Sequence, residues 1–398
     1  MSEKFELVAK TLHGLENILA DELRKLNIQD VVAHRRAVSF TGDMETIYKA
    51  NFHCRTATRI LKPIYQFTAR NEEELYGQAK KFDWSSVMDI SHKFAVDSVV
   101  NSETFTHSRY IALKLKDAIA DQFRERIGRR PFVDPKKPHI QLHIHVSGQD
   151  CTVLLDSSGE SLHRRGYRQV QDVAPINEVL AAGLIMLSGW NDQKPFIDPM
   201  CGSGTLLMEA ALIAKGIPPG VFRKEFAFEN WLDFDKELFE RVFNDDSTER
   251  ETSATIIGGD ISKHAIEITK ENLKSAGLSR FVDVETRSIF DFTPPAEPGI
   301  VITNPPYGER IKKEQLEVFY RQIGDCFKQR YSGYDIWMIS GNLEALKGFG
   351  LHPSKTYSLF NGNIECKYQR FSMYKGSIKA KYREDSSSNN QPLMIGDK

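Results

Sequence analysis

At 398 residues the chain is longer than one ordinary hydrophobic core, so two or three domains are expected. Hydrophobic residues make up 40% and charged residues 27%, a balance that excludes fibrous, disordered and membrane-embedded classes. The formal net charge of −1 excludes a uniformly basic nucleic-acid binder. Five scattered cysteines without a Cys-x-x-Cys pair exclude a disulfide framework and a zinc ribbon, so no metal is expected.

The N-terminus has none of the anatomy of a signal peptide, and no apolar run is long enough to span a membrane. A cytoplasmic protein with no membrane partner is therefore expected. Residues 5–11 read as a strand, 14–26 as a helix and 31–40 as a strand pair. A helix over 44–60 then leads into a strand over 61–67. A helix over 72–80, a strand over 94–100, a long helix over 107–127 and a hairpin of 139–146 with 151–156 complete an α+β half. This half carries no catalytic constellation. Its charge is uneven: between Thr106 and Val170 stand twelve Lys and Arg against seven Asp and Glu. A phosphate-bearing partner would favour that excess, and a solvated charged face would produce it as well. Arg129, Arg130, Lys136 and Lys137 lie in one loop that reads either as a phosphate contact or as an ordinary exposed loop. Arg164, Arg165 and Arg168, beside Gly166 and Tyr167, read as a basic linker or as further phosphate contacts.

Beyond the linker, Pro175 fits the first turn of a helix through the apolar run 179–187. Pro195 to Thr205 reads Pro-Phe-Ile-Asp-Pro-Met-Cys-Gly-Ser-Gly-Thr and precedes an apolar helical run. This is a strand, a glycine turn and a helix N-terminus, where backbone N–H groups receive a ligand. Residues 216–253 exceed what a plain crossover needs and include Trp231 and a helical run over 236–243. The next strand, 254–258, ends near Asp260, where an acidic side chain can read a ribose hydroxyl pair or cap the following helix, 264–276. A third strand, 282–288, ends at Ser288 and Ile289. The strand 299–303 delivers Asn304-Pro305-Pro306-Tyr307. Each proline fixes φ near about −65° and lacks an N–H, so the Asn304 and Pro305 carbonyls face outward beside the Asn304 side-chain oxygen. Such acceptors suit an exocyclic amine, and Tyr307 offers a ring for a planar base. Glu309 and Arg310 pair with each other or contact a substrate. A helix over 315–330, a strand over 335–340, a helix over 343–349 and a hairpin of 355–360 with 364–374 around Asn361-Gly362-Asn363 close a seven-stranded sheet. A disordered tail is expected from 377 to 398.

The glycine loop paired with Asn-Pro-Pro-Tyr resembles the class I S-adenosylmethionine-dependent methyltransferases that methylate amines. The order of elements in the first half resembles a THUMP domain behind a small ferredoxin-like segment. The resemblance implies four regions: a ferredoxin-like segment over 1–60, an RNA-binding THUMP domain over 61–160, a Rossmann-like α/β methyltransferase domain over 161–376, and the tail. It implies cofactor contacts at Asp198, Pro199, Cys201, Gly202, Ser203, Gly204, Thr205, Asp260, Ile261, Ser288, Ile289 and Asn304. The catalytic loop is Asn304, Pro305, Pro306 and Tyr307. Ser288 departs from the family, which commonly places Asp after the third strand to meet adenine. The nearest resemblance is to bacterial guanine-N2 methyltransferases of 23S ribosomal RNA. Adenine-N6 methylation, guanine-N2 methylation of transfer RNA, glutamine-amide methylation and a non-catalytic RNA-binding role stay open as other readings of the same loop. A carbon-5 pyrimidine methyltransferase would need a nucleophilic cysteine, usually after proline, and the chain has no Pro-Cys pair.

Overall fold

The computed structural model describes residues 3–168, 175–307 and 313–374; the expected tail and Glu309 and Arg310 lie outside them. The chain builds two sheets. The first holds β1 (Phe5–Thr11), β2 (Gln29–His34), β3 (Ala37–Gly42), β4 (Ala57–Thr68), β5 (Lys93–Asn101), β6 (Phe132–Val133), β7 (Ile140–Ser147) and β8 (Asp150–Asp156). Their order is β2-β3-β1-β4-β8-β7-β5-β6.

β4 decides the architecture of this half. Val8 of β1 pairs with Leu61, and β8 pairs with the same strand from Leu61 to Thr68. Segments 1–60 and 61–160 therefore share one continuous sheet. The helix expected over 44–60 is real only as Met44–His53. Asp43 caps it by accepting from the Thr46 amide, and Cys54 leaves it in an extended conformation. β-branched Thr56, Thr58 and Ile60 alternate beyond that point, which suits a pleated strand better than another helical turn.

The second sheet holds β9 (Phe196–Asp198), β10 (Ile256–Asp260), β11 (Asp283–Thr286), β12 (Ile300–Thr303), β13 (Asp335–Ser340), β14 (Lys355–Asn361) and β15 (Ile364–Ser372). Its order is β11-β10-β9-β12-β13-β15-β14, parallel from β11 to β13, with β15 antiparallel to both neighbours. All four residues of β12 are buried, as a strand covered on both faces must be. Helices Glu178–Ser188 and Thr205–Lys215 supply one covering layer. Helix Lys313–Arg330 supplies the other through Leu316, Tyr320, Ile323 and Phe327, spaced as one helical stripe. Helix Glu178–Ser188 starts later than Pro175 implied. Asn177 is its cap, accepting from the Val179 and Leu180 amides, so Pro175 precedes the helix instead of opening it.

The long segment after helix Thr205–Lys215 belongs in packing to the other half. Phe226, Phe228 and Trp231 are buried in the core of the first sheet. Phe228 lies 4.6 Å from Tyr48, centroid to centroid, and the Asp235 amide donates to the Tyr48 hydroxyl at 3.0 Å. In the opposite direction, Arg55 donates to the carbonyls of Leu212 and Ile217 at 3.2 and 2.6 Å. Each half thus completes the other's interior.

Candidate active site

In the second sheet the strand order reverses between β9 and β12, and an open parallel sheet binds ligands in the crevice at such a reversal. The two strands pair directly, Ile300 with Phe196 and Val301 with Ile197. Motifs about a hundred residues apart in sequence consequently leave the sheet side by side. The Thr303 hydroxyl donates to Asp198 Oδ1 at 2.9 Å, and the Met200 amide donates to the same oxygen at 3.2 Å. Asp198 is 1% exposed. Burial pushes its carboxyl up to about 7 against those two hydrogen bonds, and the nearby charge of Asp260 adds to the rise.

The glycine turn is held from three sides. The Cys201 amide donates to the Gly259 carbonyl at 2.9 Å, the Gly202 amide to Asp260 Oδ2 at 2.9 Å, and the Thr269 hydroxyl to the Gly202 carbonyl at 2.8 Å. The two glycines serve different ends. At Gly204, φ is +80°, and a Cβ would stand 2.5 Å from Thr269 Cγ2, so side-chain packing forbids one. At Gly202, φ is +54° and a Cβ would meet nothing within 4 Å, which leaves the backbone open to close approach by a ligand. Pro199, Cys201, Ser203 and Thr205 are buried around the turn. Burial holds the Cys201 thiol well above its usual range, which leaves it an inert packing group.

Asp260 accepts the Ser262 amide on Oδ1 at 2.9 Å and the Gly202 amide on Oδ2. A carboxylate offers about four lone-pair directions, so two remain for further donors. Ser262 is the cap of helix Lys263–Ser275, accepting from the Ala265 amide, which releases Asp260 from the capping role. Ile261 beside it is 78% exposed, whereas Ile289 is 4% exposed and belongs to the core. Ser288 Oγ accepts the Phe290 amide at 3.3 Å, so its hydroxyl closes a turn.

Asn304 Oδ1 is buried and meets no hydrogen-bond donor among the described residues. A buried amide oxygen without a donor is costly unless a ligand supplies one. Behind Asn304, the Tyr307 hydroxyl accepts from Asn361 Nδ2 at 2.8 Å, and its ring packs against Gly341, where a Cβ would stand 3.0 Å from Cε2. Burial pushes that phenol up. Sequence reading missed Thr303, Thr269 and Asn361 because each acts across the fold and carries no local signature.

The basic residues divide into two groups. Arg129, Arg130, Lys136, Lys137 and Arg164 are exposed, Arg130 pairing with Asp121 at 2.8 Å and Arg164 with Glu160 at 2.6 Å. Arg165 and Arg168 face inward, contrary to the expected phosphate contacts. Arg165 is 1% exposed and lies 3.4 Å from Glu209, which also accepts from the Tyr167 hydroxyl at 2.8 Å. Arg168 pairs with Glu178 at 3.3 Å and donates to Thr205 Oγ1 at 2.7 Å, joining the linker to the glycine turn. A desolvated guanidinium already matched to a carboxylate has nothing left for solvent-side phosphate. Among the described residues, no cluster of His, Cys, Asp or Glu could hold a metal, and no helix is long and apolar enough to cross a membrane.

The reversed sheet, the glycine turn with its acid on the next strand, and the Asn-Pro-Pro-Tyr loop with its donorless buried oxygen define a class I S-adenosylmethionine-dependent methyltransferase. The chain belongs to the family described as RMKL-like, methyltransferase domain, which matches residues 165–370. The RlmL ferredoxin-like domain matches residues 6–61, and the THUMP domain residues 69–156. The chain is 36% identical to ribosomal RNA large subunit methyltransferase K/L of Syntrophotalea carbinolica, over 93% of its own length and 54% of that protein. It spans about half the length of the relatives bearing that name. A Synechocystis protein provisionally classed as an RNA methyltransferase is 37% identical, with 91% of this chain and 95% of that one covered. Among solved structures, a protein provisionally classed as a methyltransferase and complexed with SAH superposes with a TM-score of 0.84 at 31% identity, covering 95% of this chain and 100% of the other. A Listeria monocytogenes protein described as a predicted N6-adenine-specific DNA methylase gives 0.83 at 30%, covering 93% and 97%.

Proposed function

We propose that this chain is a cytoplasmic RNA methyltransferase that modifies the exocyclic amine of a guanine, N2, in large-subunit ribosomal RNA. The observation that carries the reading is the donorless Asn304 Oδ1 in the crevice between β9 and β12, one residue beyond the Thr303 that anchors Asp198. When bound, S-adenosylmethionine supplies an electrophilic methyl group. Asp198 and the Gly202 backbone line its methionine end, and Asp260 takes its ribose hydroxyls. Asn304 Oδ1 and the Pro305 carbonyl accept the two amine hydrogens and hold the nitrogen toward that methyl. A neutral amide is no strong base, so positioning supplies most of the acceleration and the proton leaves late. The base reaches the loop by leaving its stack and lies against Tyr307. The THUMP match and the ribosomal relatives favour RNA over DNA and protein.

Labelled cofactor, the protein and large-subunit ribosomal RNA from cells lacking the activity test the reading, with transfer RNA and DNA alongside. N2-methylguanosine should appear after digestion of the ribosomal RNA. Asn304→Ala should nearly abolish transfer while cofactor binding persists. Methyladenine in DNA would move the activity to the reading suggested by the Listeria protein's description.

A further inference from the structure

The long segment after helix Thr205–Lys215 does more than seal the first core. It forms one wall of a cleft of about 1060 Å³ whose other walls are the Lys136–Lys137 loop and the linker around Ser158 to Gly166. We propose that this cleft is a composite phosphate-binding groove for the RNA strand, with Lys224 on the inserted segment gripping the same strand as Lys136 and Lys137. The proposal rests on the RNA reading above and adds a site to it.

The three lysines are exposed, and none makes an ion pair among the described residues. Their mounting is rigid. Asp134 Oδ1 accepts the amides of both Lys136 and Lys137 at 3.1 Å, which fixes the first wall. On the facing wall Arg223, next to Lys224, donates to the carbonyls of Ser158, Glu160, Ser161 and Arg164 at 2.7 to 3.3 Å. Gly166 closes the joint: its φ is +107°, and a Cβ there would stand 2.2 Å from the Phe222 carbonyl oxygen. The inserted segment and the linker thus form one piece, and binding would not have to pay for ordering either.

The groove's chemistry selects its occupant. Drug-sized ligands take mostly apolar pockets of about 300–1,000 Å³, whereas this lining is dominated by cations, with Asp97, Glu160 and Glu225 as its acids. Arg223 spends its guanidinium on carbonyls, and burial holds it at about 10. His163 is held down to about 4 by burial and by the adjacent arginines, so it is neutral at pH 7. Arg223 apart, the lining cations left without an ion pair among the described residues are lysines, which read phosphate without regard to base. The contact is accordingly one that sets position and carries no sequence preference. The linker wall continues through Arg168 to Thr205 at the glycine turn, so a strand held here is placed relative to the cofactor site.

Binding of the full chain to a large-subunit ribosomal RNA transcript, measured from about 50 to 200 mM salt, tests the groove. Lys224→Glu should raise the dissociation constant several-fold and flatten the slope of log K against log salt by about 0.7–0.9, with cofactor affinity unchanged. Lys236→Glu is the control: the same charge change on the same segment, outside the cleft and on an exposed side chain, should move binding less than about twofold, since an exposed charge off the groove is screened. A cross-linker attached at Lys224→Cys should label RNA. If Lys224→Glu matches the control while Lys136→Glu with Lys137→Glu weakens binding, the composite groove is wrong and the RNA reading stands. If the unaltered chain binds RNA with no salt dependence, or not at all, the RNA reading itself falls and the groove with it.

Discussion

Asp198 shows how much one buried carboxyl can report. Its ordinary value of 3.8 is raised to about 7 by burial. In the free protein the native state therefore binds more protons than the unfolded chain between those values, and the contribution of Asp198 to stability falls as pH rises through that window. Cofactor binding should run the other way. A cationic ligand end beside Asp198 favours the ionised form, so affinity should climb as pH rises through about 7 and then level off. Calorimetry from pH 6 to 8 in buffers of different ionisation enthalpy should show proton release at the lower end, and Asp198→Asn should flatten the profile. Asp260 makes a separate claim. Asp260→Ala removes both the proposed acceptor of the ribose hydroxyls and the partner of the Gly202 amide, so cofactor affinity should drop severalfold or more by the same calorimetry. The glycine turn and the strand end at Asp260 were legible from the strand, glycine and helix pattern, whereas Asp198 was marked only by the family resemblance. The inward course of Arg165 and Arg168 was not legible. An arginine in a linker looks the same in sequence whether its partner is solvent or a carboxylate some forty residues away on a helix, as Glu209 is for Arg165.

At the scale of elements, the last hairpin and the Asn304–Tyr307 loop are joined by a hydrogen bond. Asn361 pairs with Ile364 across the two-residue turn Gly362-Asn363, and its side chain reaches the Tyr307 hydroxyl. The hairpin was readable from Asn-Gly chemistry, and so was the loop. Their contact was not, because a turn residue's second role across 54 positions leaves no periodic trace. Asn361→Ala and Tyr307→Phe both delete this hydrogen bond, worth about 1 kcal/mol net, and Tyr307→Phe also removes the weaker contact of the hydroxyl with Cys366 Sγ at 3.8 Å. Each should lower kcat/KM for RNA by roughly fivefold without changing cofactor affinity, and the double variant should cost no more than either single one. Additive losses in steady-state kinetics would mean that the two side chains act separately. Tyr307→Ala should lose about 1–3 kcal/mol more through base stacking.

For the molecule as a whole, the two sheets were legible as an α+β half and a Rossmann-like half, but their interdependence was not. The sequence marked residues 216–253 as an excess containing Trp231, but nothing in it says which core Phe226, Phe228 and Trp231 enter. They sit beneath the first sheet although the chain reaches them from the second. Tyr48 meets Phe228, Phe234 and Phe239 at centroid distances of 4.6 to 6.0 Å, and Arg55 ties the same region to helix Thr205–Lys215. A core shared in this way should make the halves unfold together. Truncating a buried phenylalanine costs about 3–5 kcal/mol, so Phe228→Ala should lower the thermal midpoint of one cooperative transition. Hydrogen exchange gives the sharper check. Amides of helix Met44–His53 should lose protection in Phe228→Ala although that helix lies far away in sequence, because its buried face includes Tyr48 and Phe52. Faster exchange confined to residues 219–243 would show that the inserted segment is only laid against the first core and does not complete it.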